Sequence, residues 1–350
     1  MKGSLMMMHL KSVRQSGMVV LGTAFIVASS PVFSADGNVL TIYSGIPRNQ
    51  AETVVAEFSK DYGKPVTAKV LDSPVEELMA QTRIEVRAGT PKADILWFDK
   101  PQLQVLAKEN PKLLEEISSP HYGDLLESVK TGDYKRLVPV GFVLYVLSYN
   151  TSKYTKDTAP QSYADLLKDE YKGQITFADP RSSAGIHNFF WFITDKLKDK
   201  KPYGWDYFRE IKKNSPQLTT GHGAIRDLVI SGERPIGIQF TFYLTAPIER
   251  GEKVSWNWPK EGVVAGEQTV GVIVKDSNQV AKDFASWVVS PKGQEIVSTV
   301  VSLAPVSTKV SFKFPDGQTI KDINVVPADA DAISKNRAEV VREFTKIMRK

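Results

Sequence analysis

The chain reads as an α/β protein, and three observations lead there. Short apolar runs alternate with stretches whose apolar residues recur every three to four positions. The 350 residues are 42% hydrophobic, 24% charged and 10% aromatic, which is ordinary globular usage. At roughly 100–200 residues per domain, the length supplies two domains with sizeable cores.

The first 35 residues stand apart. They hold Lys2, Lys11 and Arg14 and no acid, then an apolar stretch over 18–28, then the small residues Ser29, Ser30, Ser34 and Ala35. This is the pattern of a cleaved secretion signal, cut after Ser34 or Ala35. The apolar stretch is too short to span a bilayer, and no cysteine follows to carry a lipid. Without this segment, 42 basic residues face 40 acidic ones. The high isoelectric point therefore belongs mostly to the signal. No run of five or six Lys/Arg follows it, which argues against a nucleic-acid partner. With no cysteine at all, thiolate metal sites, Fe–S clusters and Cys nucleophiles are excluded.

In chain order, residues 39–43 predict a strand. Residues 50–62 predict a helix with Ala51, Val54, Val55 and Phe58 inward, and 66–70 a second strand. A helix follows over 75–88 with Leu78, Met79 and Ile84 inward, and 93–98 reads as a buried strand. Repeated βα units predict a parallel sheet covered by helices on both faces. Residues 137–149 form a long β-rich run interrupted by Pro139 and Gly141. After it come a helix at 160–167, a strand at 173–177, a helix from about Ser183, a helix over 223–231 and a strand at 236–240. Beyond Gly266 the pattern predicts a strand at 269–274 and helices at 280–289 and 293–300. A closing amphipathic helix spans 329–350, with Ile333, Val340, Val341, Phe344 and Ile347 on one side.

Catalytic signatures are scarce. The chain has no G-x-S-x-G, S-x-x-K or H-E-x-x-H pattern, and one of its four histidines lies in the signal. The carboxylate pairs Glu76-Glu77 and Glu115-Glu116 read as solvated helix faces. A secreted hydrolase stays open as the alternative of another class.

Five phrases, in order, carry a resemblance. They are Leu40-Thr-Ile-Tyr-Ser-Gly45; Arg87-Ala-Gly-Thr-Pro-Lys-Ala-Asp-Ile-Leu-Trp97; Gly173-Gln-Ile-Thr-Phe-Ala-Asp-Pro180; Gly232-Glu-Arg-Pro-Ile-Gly237; and Ala281-Lys-Asp-Phe-Ala-Ser-Trp287 with Ser290-Pro-Lys-Gly-Gln294. Together they resemble the periplasmic solute-binding proteins of ABC importers, in the branch that takes ferric iron, phosphonates and sugar phosphates. The resemblance implies a two-lobed type II periplasmic-binding-protein fold with a ligand cleft between the lobes. Residues 36–139 and 268–350 would form lobe 1, with the last helix as an outer brace, and 140–267 lobe 2. It also implies a monomer without cofactor or catalysis, exported to the periplasm, whose partners are a small anionic ligand and an inner-membrane ABC permease.

Ferric members of the family have a histidine after the first strand's glycine and a tyrosine pair after a second-lobe strand. Here those places hold Pro47 and Phe242-Tyr243, which is a poor donor set for a hard cation. Ferric iron is the alternative ligand; a sugar phosphate or aminoalkylphosphonate leads. Within that resemblance, Asp179-Pro-Arg-Ser-Ser-Ala-Gly185 reads as an anion loop, with Ser182, Ser183 and Gly185 at a helix start; plain capping by serine is the competing reading. Gly221 and His222 precede the next helix. Ser44, Gly45 and Arg48 would face the cleft from the first lobe, the guanidinium gripping phosphate. Gln239, Thr241 and Tyr243 would share one face after a strand. Trp97 would stack on a sugar or lie in the core.

Overall fold

In a computed structural model of the protein, which describes residues 38–275 and 279–349, the chain opens with two βα units and a third strand–helix pair. These are β1 (Asn38–Ser44), α1 (Arg48–Tyr62), β2 (Val66–Asp72), α2 (Val75–Arg87), β3 (Ile95–Asp99) and α3 (Lys100–Glu109). The segment read as a secretion signal lies outside the described residues. Helix α1 buries Ala51, Val54, Val55 and Phe58, as its spacing requires, and ends at Gly63 with φ of 71°, a left-handed cap that glycine supplies without strain. In α2 the inward set is Leu78, Met79, Thr82 and Glu85. Ile84, expected inward, is 67% exposed. The buried position goes to Glu85, whose carboxylate accepts the hydroxyl of Tyr43 (2.7 Å) and the backbone N–H of Lys92 (3.0 Å).

Strand β4 (Val138–Tyr149) follows, with all twelve residues buried. Next come β5 (Ile175–Ala178), α4 (His187–Trp191) continued by a π-turn over Phe192–Lys196, α5 (Trp205–Lys213), β6 (Gln217–Thr219), α6 (His222–Ser231) and β7 (Ile236–Phe240). The helix predicted at 160–167 is only a 3-10 turn, Ala164–Leu167. The Asp165 carboxylate takes the Gln161 N–H (3.0 Å), so a local turn satisfies that backbone in place of a helix. The helix predicted from Ser183 starts at His187. The Asp179 carbonyl accepts the N–H groups of both Ser182 (3.1 Å) and Ser183 (2.9 Å), closing a turn first.

The chain ends with α7 (Thr245–Glu249), β8 (Ser255–Asn257), β9 (Val263–Val272), α8 (Gln279–Trp287), α9 (Pro291–Val301), β10 (Val325–Pro327) and α10 (Ala330–Arg349). The order across the sheet is β2-β1-β3-β9-β4-β7-β5-β6, with β10 on β9 and β8 on β4. The pairs β1–β2 and β1–β3 are parallel, as are β5–β6 and β5–β7, while β9 runs antiparallel to β3 and β4, and β4 antiparallel to β7. Two parallel blocks are joined by an antiparallel pair of long strands. The parallel pairing expected of the βα units is present in both blocks, and the added feature is the antiparallel crossing of β9 and β4. Strand β4 pairs with β9 through Val138–Leu144 and with β7 through Tyr145–Tyr149. Its register shifts between Pro139 and Gly141, where proline cannot donate to the ladder.

Helix α10 packs across both blocks. Near its start Ser334 donates to the Pro101 carbonyl (3.3 Å), and Arg337 pairs with Glu76. Further along, Phe344 is fully buried, with ring centroids 5.1 Å from Phe190 and 6.0 Å from Phe208. Of the five residues expected on its inner side, Ile333, Val340 and Phe344 are buried.

Candidate functional site

The carboxyl ends of β1, β3 and β7 and the start of α6 converge on a cavity of about 440 Å3. That is where open α/β sheets bind ligands, and the volume suits a small molecule. Residues 44–47 after β1 form one wall and the 72–75 turn after β2 another. Asp99 closes β3, residues 182–185 and 220–224 supply the facing wall, and Phe240, Phe242, Tyr243 and Gln268 complete it.

Local chemistry decides what each wall offers. The Ser44 hydroxyl donates to the Ile46 carbonyl (2.9 Å) and accepts the Ile46 N–H (3.1 Å), so it is spent within its own turn. Gly45 donates to the Trp97 carbonyl (2.9 Å). In the facing wall, the start of α6 has no side-chain cap, and the N–H groups of a helix's first turn have no intrahelical acceptor. They carry the positive end of the helix dipole toward residues 220–224. His222 is 5% exposed and neither ring nitrogen has a hydrogen-bond partner. Its ring lies 4.0 Å from Phe240 and 6.0 Å from Tyr243, and burial pushes its pKa down to about 3. The imidazole is therefore neutral at physiological pH, one nitrogen donating and the other accepting.

The opposite pole is acidic. Asp99 is 8% exposed; Gln268 donates an amide N–H to its Oδ1, and burial, outweighing that bond, pushes the carboxyl up to about 7. Asp72 is held by Arg48, whose Nε and Nη2 each stand 3.2 Å from Oδ1. Among the described residues, no lysine or arginine lines the cavity.

Eight of the twelve residues singled out in the sequence lie in this wall: Ser44, Gly45, Ser182, Ser183, Gly185, Gly221, His222 and Tyr243. Four do not. Arg48 points to Asp72 at the exposed rim, because that carboxylate is its nearest charge partner. Trp97 is fully buried, since the alternation of β3 turns it inward toward Phe284 (6.3 Å). Gln239 faces β4 and donates to Ser148 (2.9 Å). Thr241 is fully buried because β7 ends at Phe240 and a 3-10 turn, Thr241–Tyr243, replaces the strand period. Asp72, Asp99 and Gln268 were missed. Asp99 had a signal, a lone acid closing the apolar run Ile95-Leu-Trp-Phe98, whereas Gln268 arrives from a strand 169 residues away. Pro47 and Phe242, which the resemblance sets at the places of ferric ligands, both line the cavity. Among the described residues, no group of three or more His, Cys, Asp or Glu side chains is placed to hold a metal ion.

A family model described as bacterial extracellular solute-binding protein matches residues 53–324. The chain belongs to this family. This solute-binding protein is 22% identical over 294 residues to the thiamine-binding periplasmic protein of Salmonella typhimurium, covering 81% of this chain and 84% of that one. Among solved structures it is similar to AfuA from Actinobacillus pleuropneumoniae with fructose 6-phosphate bound (TM-score 0.75, 21% identity, 90% of this chain and 99% of that one). It is also similar to iron-bound HitA from Pseudomonas aeruginosa (TM-score 0.72, 19% identity, 89% and 99%). The fold is thus the two-lobed type II binding-protein fold of ABC importers, and the family's members are substrate-binding transport proteins rather than enzymes.

Proposed function

We propose that this solute-binding protein captures a small phosphorylated organic compound in the periplasm and delivers it to an inner-membrane ABC permease. Residues 1–35 would export it. Lobe 1 (36–139 and 268–350) and lobe 2 (140–267) would close on the ligand about the β4–β9 pair, the closed form favoured by its greater affinity. The observation that carries the phosphate reading is the uncapped start of α6. There the dipole, the Ser183 side chain and a neutral His222 with two unpartnered nitrogens form an uncharged cradle for an oxyanion, while the Ser182 hydroxyl, which donates to the Asp179 carbonyl (3.4 Å), would have to turn from its own loop to join them.

A second reading has its own support. The cavity has aromatic faces in Phe240, Phe242 and Tyr243, an acid in Asp99 beside the Arg48-paired Asp72, and no lining lysine or arginine among the described residues. That wall also suits a cationic heterocycle, and the thiamine-binding relative is of that kind.

Isothermal titration of the purified protein with fructose 6-phosphate, 2-aminoethylphosphonate and thiamine separates the two. Saturable binding of either phosphorus compound, with none of thiamine, is the expected result. Thiamine binding alone would overturn the phosphate reading.

A further inference from the structure

Asp99 is buried where the lobes of the cavity meet, and the protein supplies no positive charge to it. Its Oδ1 takes the Gln268 amide. Its Oδ2 would stand 3.5 Å from a Cβ placed on Gly185 in the facing wall, so the free oxygen lies where the two walls of the cavity approach each other. The groups that feel its charge are Tyr145 on β4, which donates to the Gly185 carbonyl, and Tyr243 after β7, which Arg226 on α6 also faces; the neutral His222 and Asp72, already neutralised by Arg48, line the same cavity. Lys100, the next residue in the chain, turns to the other side of the sheet and is consumed there by Glu267 (3.0 Å) and Thr131 (3.3 Å). A buried carboxylate without a cation is unfavourable; the empty cavity relieves this by favouring the protonated carboxyl, and a cation carried by the ligand would relieve it in the proton's place.

We propose that Asp99 makes this cavity select ligands bearing a positively charged nitrogen. The inference rests on the reading of this cavity as the ligand site and narrows it. Among phosphorylated compounds it favours a zwitterion, with its oxyanion at the start of α6 and its ammonium on Asp99, over a sugar phosphate. Burial that raises the empty carboxyl toward neutrality accords with this, since an ammonium placed on Oδ2 restores the charged form.

The test uses the whole protein and isothermal titration at pH 7.5. The unmodified protein should bind 2-aminoethylphosphonate at least tenfold tighter than ethylphosphonate, which has the same oxyanion and no amine. Asp99→Asn, which keeps an acceptor for Gln268, should erase that preference. Equal binding of the two phosphonates, or a preference that survives in Asp99→Asn, overturns the inference. Fructose 6-phosphate binding tighter than 2-aminoethylphosphonate also overturns it and leaves the phosphate reading standing. If neither phosphonate binds and thiamine does, the phosphate reading falls. Asp99 is then decided by whether Asp99→Asn weakens thiamine tenfold, which supports it, or leaves thiamine binding unchanged, which overturns it. Binding of none of the four compounds overturns both.

Discussion

Replacing Gly185 by alanine tests the cavity's geometry at its tightest place. A Cβ on Gly185 would lie 2.8 Å from Cζ and 3.1 Å from Cε2 of Phe240. The ring cannot simply step back. Its centroid is already 4.0 Å from His222, 4.6 Å from Tyr145 and 5.4 Å from Phe242. Overpacking of this kind costs about 1–3 kcal/mol, and in a chain of this size each kcal/mol lowers the melting temperature by roughly 1–2 °C. Gly185→Ala should therefore melt a few degrees below the unmodified protein, and its ligand affinity should fall because Phe240 and Asp99 both line the same cavity. Gly221→Ala is the matched control, since a Cβ there meets nothing within 4 Å and φ of −169° is extended backbone. Its melting temperature should stay the same. Differential scanning calorimetry and titration of both variants decide the matter. A Gly185→Ala protein that melts and binds normally would refute the packing of Phe240 against this turn.

Trp97→Phe should lower stability by about 1–2 kcal/mol and leave ligand affinity within twofold, because the ring is fully buried and its N–H has no partner to lose; an affinity loss at unchanged melting temperature would return Trp97 to the ligand. The Asp99 carboxyl, at about 7 when folded and 3.8 ordinarily, keeps its proton between those pH values while the unfolded chain releases it. Its stabilising contribution is whole below about pH 4 and is lost as pH rises through 7. Asparagine does not titrate. The melting temperature of Asp99→Asn, relative to the unmodified protein, should therefore rise from pH 4 to pH 8, and a constant difference across that range would contradict the burial described for Asp99.

The local half of this protein is written in its sequence. Periodicity placed β1, α1, β2, β3 and β7 within a residue or two, since each buries a face that its own spacing defines. The glycine- and serine-containing turns at 44–45, 182–185 and 221–222 were legible too, as breaks in that spacing next to strand ends or helix starts, and all three reach the cavity. The sign of the site was not. Arg48 looked like a phosphate grip until Asp72, from another strand, claimed it. Gln239 and Thr241 looked like cleft residues until β4 and a 3-10 turn enclosed them. Asp99 stood in plain view, but its burial, its partner Gln268 and the diversion of Lys100 to Glu267 depend on β9 crossing back beside β3. Spacing along a chain determines which face of an element turns inward. Which charges then meet, and which are left facing a ligand alone, is decided by strands distant in sequence, because electrostatic pairing acts through space and takes no account of chain order.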